Sequence, residues 1–250
     1  MQAISHIDKK TEDALHALAK DITTFCADNM VSFYLYGSAA GKGYVPGRSN
    51  LNTLILLKDI NPETLKGLAQ IYKKRRDAGF VAPLILTPDY IKSSIDVFPI
   101  EFLDIRDSSI LLAGEDTIKN ISVNLSYLRE ECEREIKGQL IRMRSSFIEV
   151  EGDKKRLEAL IISAISNIVF PLKNILRLTG QEIPDGNDAI IKACCKTLNA
   201  ADKPLLDAWT MKKEGKKMSA EVLSTLISEY LNTLNDISKK IDSLKIEGRL

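Results

Sequence analysis

Two short stretches of this 250-residue chain carry residues whose types and spacing could do chemistry together. The first is Gly37-Ser38, which leaves an apolar, aromatic run from Val31 to Tyr36. Glycine has no side chain to hold an anion off the backbone, and a neighbouring hydroxyl adds a donor, so the pair suits phosphate oxygens. A helix beginning after Ser38 would turn its positive end to the same anion. The second stretch is Asn50-Leu51-Asn52, which opens the apolar run Leu51–Leu57. Residues two apart on a strand face the same side, so both asparagines present their amides to one place. Gly41, Lys42, Gly43, Pro46, Gly47, Arg48 and Ser49 lie in the connection between the two runs. A phosphate-loop NTPase is excluded by spacing. Its motif has four residues between the glycines and Ser or Thr after the lysine; here Gly37 and Gly41 enclose Ser38-Ala39-Ala40, and Gly43 follows Lys42. Lys42 reads as a solvated loop cation.

A Gly-Ser pair leaving one strand, with polar residues at i and i+2 opening the next, resembles the signature of the nucleotidyltransferase superfamily. The resemblance covers residues 30–116. It implies an α/β fold that binds an NTP through Gly37 and Ser38, with Arg48 and Ser49 beside the site as further nucleotide contacts. Members usually carry Asp-x-Asp, which holds divalent cations between phosphate and acceptor hydroxyl, where this chain has Asn50-Leu51-Asn52. The superfamily's third carboxylate comes from a later strand. Phe98-Pro99-Ile100-Glu101-Phe102-Leu103-Asp104-Ile105 is taken as that strand and Glu101 as that carboxylate. Asp104 would share its pleat face with the core-like Ile100 and Phe102. The resemblance therefore puts the catalytic and metal positions, in degenerate form, at Asn50, Asn52 and Glu101.

Asparagine offers a carbonyl oxygen of nearly the same shape as aspartate but no charge. Magnesium sites rely on one or two carboxylates together with substrate phosphates. At an effective dielectric of about 20, a unit charge at ~4 Å is worth on the order of 4 kcal/mol, and a divalent ion feels roughly twice that. Losing both charges weakens a metal pair severely. The reading that follows is a pseudoenzyme of nucleotidyltransferase fold that binds a nucleotide or a partner without efficient transfer. Magnesium then enters only with the nucleotide. Two alternatives stand beside it: an active enzyme moving an NMP group from an NTP to a hydroxyl, and an assembly protein with a vestigial pocket.

The elements that must position these residues follow from periodicity. Apolar groups from Asp8 to Met30 recur at helical spacing, and Val31–Tyr36 alternates as a strand. Leu51–Leu57 is apolar on both faces, as a covered central strand is. Asn61-Pro62-Glu63 starts a helix, Phe80–Leu86 reads as a third strand, and Thr87-Pro88-Asp89 opens a short helix. Pro99–Ile105 reads as a fourth strand, with proline at its start. The order α-β-β-α-β-α-β argues for a layered domain over residues 1–120.

From Leu125 onward only helical stripes appear, so residues 121–250 read as a helical bundle, with Pro171 expected to kink or shorten its second helix. No histidine follows His16, which excludes the Arg-x4–6-His chemistry of bundle ribonucleases. A net charge of +1 supplies no general attraction to nucleic acid or membrane, and Lys73–Arg76 reads as the cationic end of a helix. Cys26, Cys132, Cys194 and Cys195 lack metal or redox spacing, which together with the absence of a leader suggests reduced thiols in the cytoplasm. The bundle is the candidate surface for a protein partner or a homo-oligomer.

Overall fold

The structure, a computed structural model, describes residues 7–41, 50–215, 217–244 and 248. The chain divides into two compact units, Met1–Ser122 and Val123–Leu250.

In the first unit, α1 (Lys9–Cys26) begins where the Asp8 carboxylate accepts the Thr11 N–H at 3.0 Å, an N-cap. Four strands follow in one sheet: β1 (Met30–Tyr36), β2 (Asn52–Leu57), β3 (Leu84–Leu86) and β4 (Ser109–Gly114), in the order β3-β2-β1-β4. β1 runs antiparallel to β2 and β4, whereas β2 and β3 are parallel. A parallel pair needs a crossover, and α2 (Pro62–Lys74) supplies it. Its start is set by Asn61, whose side chain accepts the Thr64 N–H at 2.9 Å, with Pro62 in the first turn where no donor is missed.

The strands sort their side chains cleanly. Phe33 and Leu35 of β1, Ile55 and Leu57 of β2 and Leu112 of β4 bury against Leu15, Leu18 and Ile22 of α1 and Leu68 and Tyr72 of α2. Ser32, Tyr34, Leu54 and Leu56 therefore point to the opposite face. There the buried Tyr34 hydroxyl accepts the Thr117 N–H at 2.9 Å, and Ser32 Oγ donates to the Glu115 carbonyl at 2.5 Å. Residues 115–117 thus close the far end of that face and leave the Tyr36 end open.

One element differs in type from the sequence reading. Pro99–Asp107 is a helix, α4, following α3 (Pro88–Ser94), and the fourth strand lies at Ser109–Gly114. Ile100, Phe102, Leu103 and Ile105 are all buried, a pattern that a strand covered on both faces and a buried helix share. Glu101, Asp104 and Asp107 recur every third residue, along one flank of a helix. Proline at the first helical position fits the helix as well as it fits a strand start. The order is accordingly α-β-β-α-β-α-α-β.

The second unit is all helical: α5 (Leu125–Val150), α6 (Lys154–Leu178), α7 (Asn187–Thr197), α8 (Lys203–Glu214) and α9 (Ala220–Asp242). Leu128, Cys132, Ile136, Leu140 and Met143 of α5 face inward, as do Ile161, Ile165, Ile168 and Leu172 of α6 and Leu223, Ile227, Leu234 and Ile237 of α9. Gln139 of α5 donates to the Ala164 carbonyl of α6 at 2.6 Å, so a polar tie crosses the apolar seam. Pro171 does not divide α6, which runs unbroken from Lys154 to Leu178 with the proline ring buried. By length and composition α6 could cross a membrane, but 56% of its most apolar stretch is buried within the protein, as in the central helix of a bundle. The four cysteines are buried and unpaired, and burial pushes the Cys132, Cys194 and Cys195 thiols up, away from reactive thiolate.

Candidate functional site

At the open end of the sheet, Tyr36 pairs with Asn52 on one side and with Ser109 on the other. The three side chains form one row across β2, β1 and β4. Tyr36 is half-buried, and burial raises its hydroxyl above the usual phenol range, so it stays a neutral donor at physiological pH. Immediately after it the chain turns at Gly37, whose φ is +74°. A Cβ built there would meet Asn52 Nδ2 at 3.1 Å. Glycine is therefore required twice, for its backbone conformation and for the space that Asn52 occupies.

The sequence assigned Gly37 another task, an approach of its N–H to phosphate. The structure engages that N–H elsewhere: it donates to the Ser108 carbonyl at 3.1 Å and ties the turn to the start of β4. Among the described residues no long helix follows Ser38 either. Gly37–Ala40 is a single 3-10 turn with Ser38 exposed at its surface. Asn50 is exposed and Asn52 half-buried on the same side of β2, because Leu51 between them turns into the core at 1% exposure. Leu51 is held there by its N–H to the Gly79 carbonyl at 3.0 Å. The structure thus brings Gly37, Asn52 and Tyr36 together, with Asn50 at the rim. Arg48, Ser49 and Lys42 lie outside the described residues.

Glu101 does not arrive on a strand. It sits exposed in the first turn of α4, while the last turn of that helix leads into Ser108 beside Gly37. At 1.5 Å per residue the helix sets Glu101 about 10 Å from Ser108 along its axis. The later strand that lies beside β2 is β3, and its Leu84 stands next to Leu54 with Ile85 next to Ile55. Leu84 and Leu86 therefore share the face of Asn52, while β4 contributes Ser109 and Leu111 to it. Register across the sheet revealed Tyr36 as the neighbour of Asn52, with Ser109 next along the same row and Leu84 two residues further on beside Leu54. Sequence spacing could not, because it holds no information on which strand lies beside which.

At the Tyr36 end of this face the polar side chains of the described strand residues are amides and hydroxyls. Magnesium demands hard, charged oxygen ligands, and two magnesium ions demand more of them. Asn50, Asn52, Tyr36 and Ser109 do not fit the metal pair that the superfamily resemblance implies. Among the described residues, no group of three or more His, Cys, Asp or Glu side chains is placed to hold a metal ion.

No family model and no curated protein matches this sequence. In three dimensions it is similar to spectinomycin adenyltransferase AAD(9) from Enterococcus faecialis, known in a crystal structure with ATP and spectinomycin. The likeness covers 90% of this chain and 99% of that one, with a TM-score of 0.51 and 14% sequence identity. The fold is nucleotidyltransferase-like. Its parts are the mixed four-stranded sheet with flanking helices and the helical region that follows. At this identity the likeness carries the architecture and leaves the chemistry to the residues themselves.

Proposed function

We propose that this chain is a nucleotidyltransferase-fold protein that takes up an NTP without efficient transfer, the triphosphate arriving with its own magnesium. One observation supports this reading above the others: every described strand of the sheet is free of acidic residues, and the carboxylate that does reach this face, Asp116 at 3.3 Å from the Tyr34 hydroxyl, sits at the far end from Asn52. Transfer of a nucleotidyl group relies on metal ions to stabilise both the attacking and the leaving oxygens. Without strand carboxylates that stabilisation is missing, while contacts to base, ribose and phosphate need no charge on β2. The Tyr36 hydroxyl, the Asn52 amide and the exposed Ser38 hydroxyl are the groups that would orient the nucleotide at the turn. Arg48 and Ser49 belong to the same proposal as contacts from the connection between the strands. The two compact units are proposed as two domains, the second shaping the protein for a partner or another copy.

The test is titration calorimetry with ATP, with and without magnesium, alongside a pyrophosphate-release assay with hydroxyl acceptors. The expected outcome is weak binding that free magnesium does not improve beyond the Mg–ATP complex, and no pyrophosphate above background. Tight magnesium-dependent binding accompanied by acceptor-dependent pyrophosphate release would establish an active transferase in its place. No detectable nucleotide binding under any condition would leave the scaffold with a vestigial pocket.

A further inference from the structure

Among the described residues the sheet ends at β3, which pairs on one side only. In a parallel ladder alternate residues direct their N–H and C=O away from the partner strand, so Leu84–Leu86 offers an open edge. Over that edge α2 extends further than the sheet does. Leu68 and Tyr72 of α2 reach the core, whereas Leu65, on the same flank of the helix, is 44% exposed. Between the overhanging helix and Val81–Ile85 lies a groove of about 680 Å³. Its floor is apolar, from Leu65, Leu68, Tyr72 and Ile85, and among the described residues its charged lining is Lys73 and Arg76.

The cationic run at the end of α2 is thereby resolved into separate jobs. Arg75 turns to α1 and pairs with Asp21 at 2.5 Å, also donating to the Ala17 carbonyl at 3.2 Å. Lys73 and Arg76 take no part in that pairing and rim the groove. Complementing the helix dipole accounts for cations in the last turn but not for an apolar trough beside them.

We infer that this groove receives an extended, acidic peptide segment of a partner protein, added as a fifth strand beside β3. A strand in that place alternates its side chains. One set would enter the trough under Leu65 and Tyr72, and carboxylates at its margin would meet Lys73 and Arg76. Backbone bonds to Leu84–Leu86 supply the attachment, and the cations select the charge. Pro83, just before β3, lacks an N–H, which confines the addition to those three residues. The groove lies on the α2 face of the sheet, opposite Asn52, so the inference does not depend on nucleotide binding.

The probe is a blocked, fluorescein-labelled decapeptide alternating glutamate and valine, compared by anisotropy with one alternating lysine and valine. The glutamate peptide is expected to bind at least tenfold more tightly and to slow amide hydrogen exchange at Leu84–Leu86 at least tenfold. The double substitution Lys73→Glu with Arg76→Glu should abolish or reverse the preference. Leu65→Asp, at an exposed site that folding does not need, should weaken the glutamate peptide tenfold with an unchanged thermal midpoint. Equal binding of both peptides, a preference that survives the charge reversal, or binding without protection of Leu84–Leu86 would overturn the inference. So would a single-stranded oligonucleotide that displaces the peptide at lower concentration, which would make the rim a nucleic-acid contact.

Discussion

The two faces of β2 make an instructive pair. Thr53, Ile55 and Leu57 turn toward α1 and α2 and are buried, and Thr53 is bonded to the Tyr72 hydroxyl at 2.6 Å. Asn50, Asn52, Leu54 and Leu56 turn the other way, and the first two reach the open end of the sheet. One face is fixed by packing, where even a methylene is felt. The other is packed as well along Leu54 and Leu56, both fully buried, and only its end at the exposed Asn50 and half-buried Asn52 escapes that constraint. Two neutral amides can stand where the superfamily resemblance implies aspartates while the nucleotidyltransferase-like fold remains intact.

The strongest way to break the comparison is to cut into the packed face. Ile55 is fully buried, so Ile55→Ala should cost roughly 2–5 kcal/mol in denaturant melts, the sum of lost transfer energy and a residual cavity. Asn52→Ala, two pleats from that face and half-buried, should cost under about 1 kcal/mol. Equal costs at the two positions would show that the asparagine end is also structural, and the comparison would fail.

The comparison sharpens when charge is restored. Asn50→Asp together with Asn52→Asp should strengthen magnesium-dependent ATP binding by at least tenfold, about 1.4 kcal/mol and a fraction of the Coulomb attraction available. Calorimetry of both forms, with and without magnesium, reads it directly. An unchanged affinity would mean that the asparagines do not face the phosphates. Transfer should remain slow in this variant, because Leu84 on the neighbouring strand still offers no third ligand.

How much of this was legible depended on whether a pattern is local. The helix start at Asn61, the alternation of β1 and the stripes of α5 and α6 all follow from neighbours in sequence, and the structure contains each of them. Pro99–Asp107 was harder because its apolar residues fill both parities, which a short run shares between a buried strand and a buried helix. Its Glu-x-x-Asp-x-x-Asp flank was the decisive signal. Pro171 shows the opposite case: local propensity predicts a kinked or shortened helix, and α6 runs on past the buried proline without being shortened. The neighbours of Asn52 were illegible for another reason. They come from pairing between strands, which sequence spacing does not encode.

Gly37 joins the two faces at the turn, and its substitution should have an intermediate effect. Gly37→Ala introduces a Cβ at a φ of +74° and 3.1 Å from Asn52 Nδ2. The conformational term alone is about 1 kcal/mol, and displacement of Asn52 adds to it. Stability should fall by about that amount, while ATP affinity falls more, since the amide beside the turn is moved. A loss of stability with no loss of affinity would place the nucleotide elsewhere.

Glu101 should give the smallest effect, and it separates the helix from the strand reading most sharply. On a strand beside Asn52, a lone carboxylate would carry most of the remaining attraction for magnesium, and Glu101→Gln would lower Mg–ATP affinity tenfold or more. In the first turn of α4 it has another task, since an acidic group there complements the positive end of the helix. That contribution is about 0.3–1 kcal/mol at an exposed site, and glutamine keeps the side-chain length while losing the charge. Glu101→Gln should therefore lower stability by about half a kcal/mol and change ATP affinity less than about twofold, since a site ~10 Å along the helix from Ser108 lies beyond direct ligation. The same small loss in affinity should appear with and without magnesium. A tenfold loss confined to the magnesium titration would return Glu101 to the site and require α4 to present its first turn to the nucleotide.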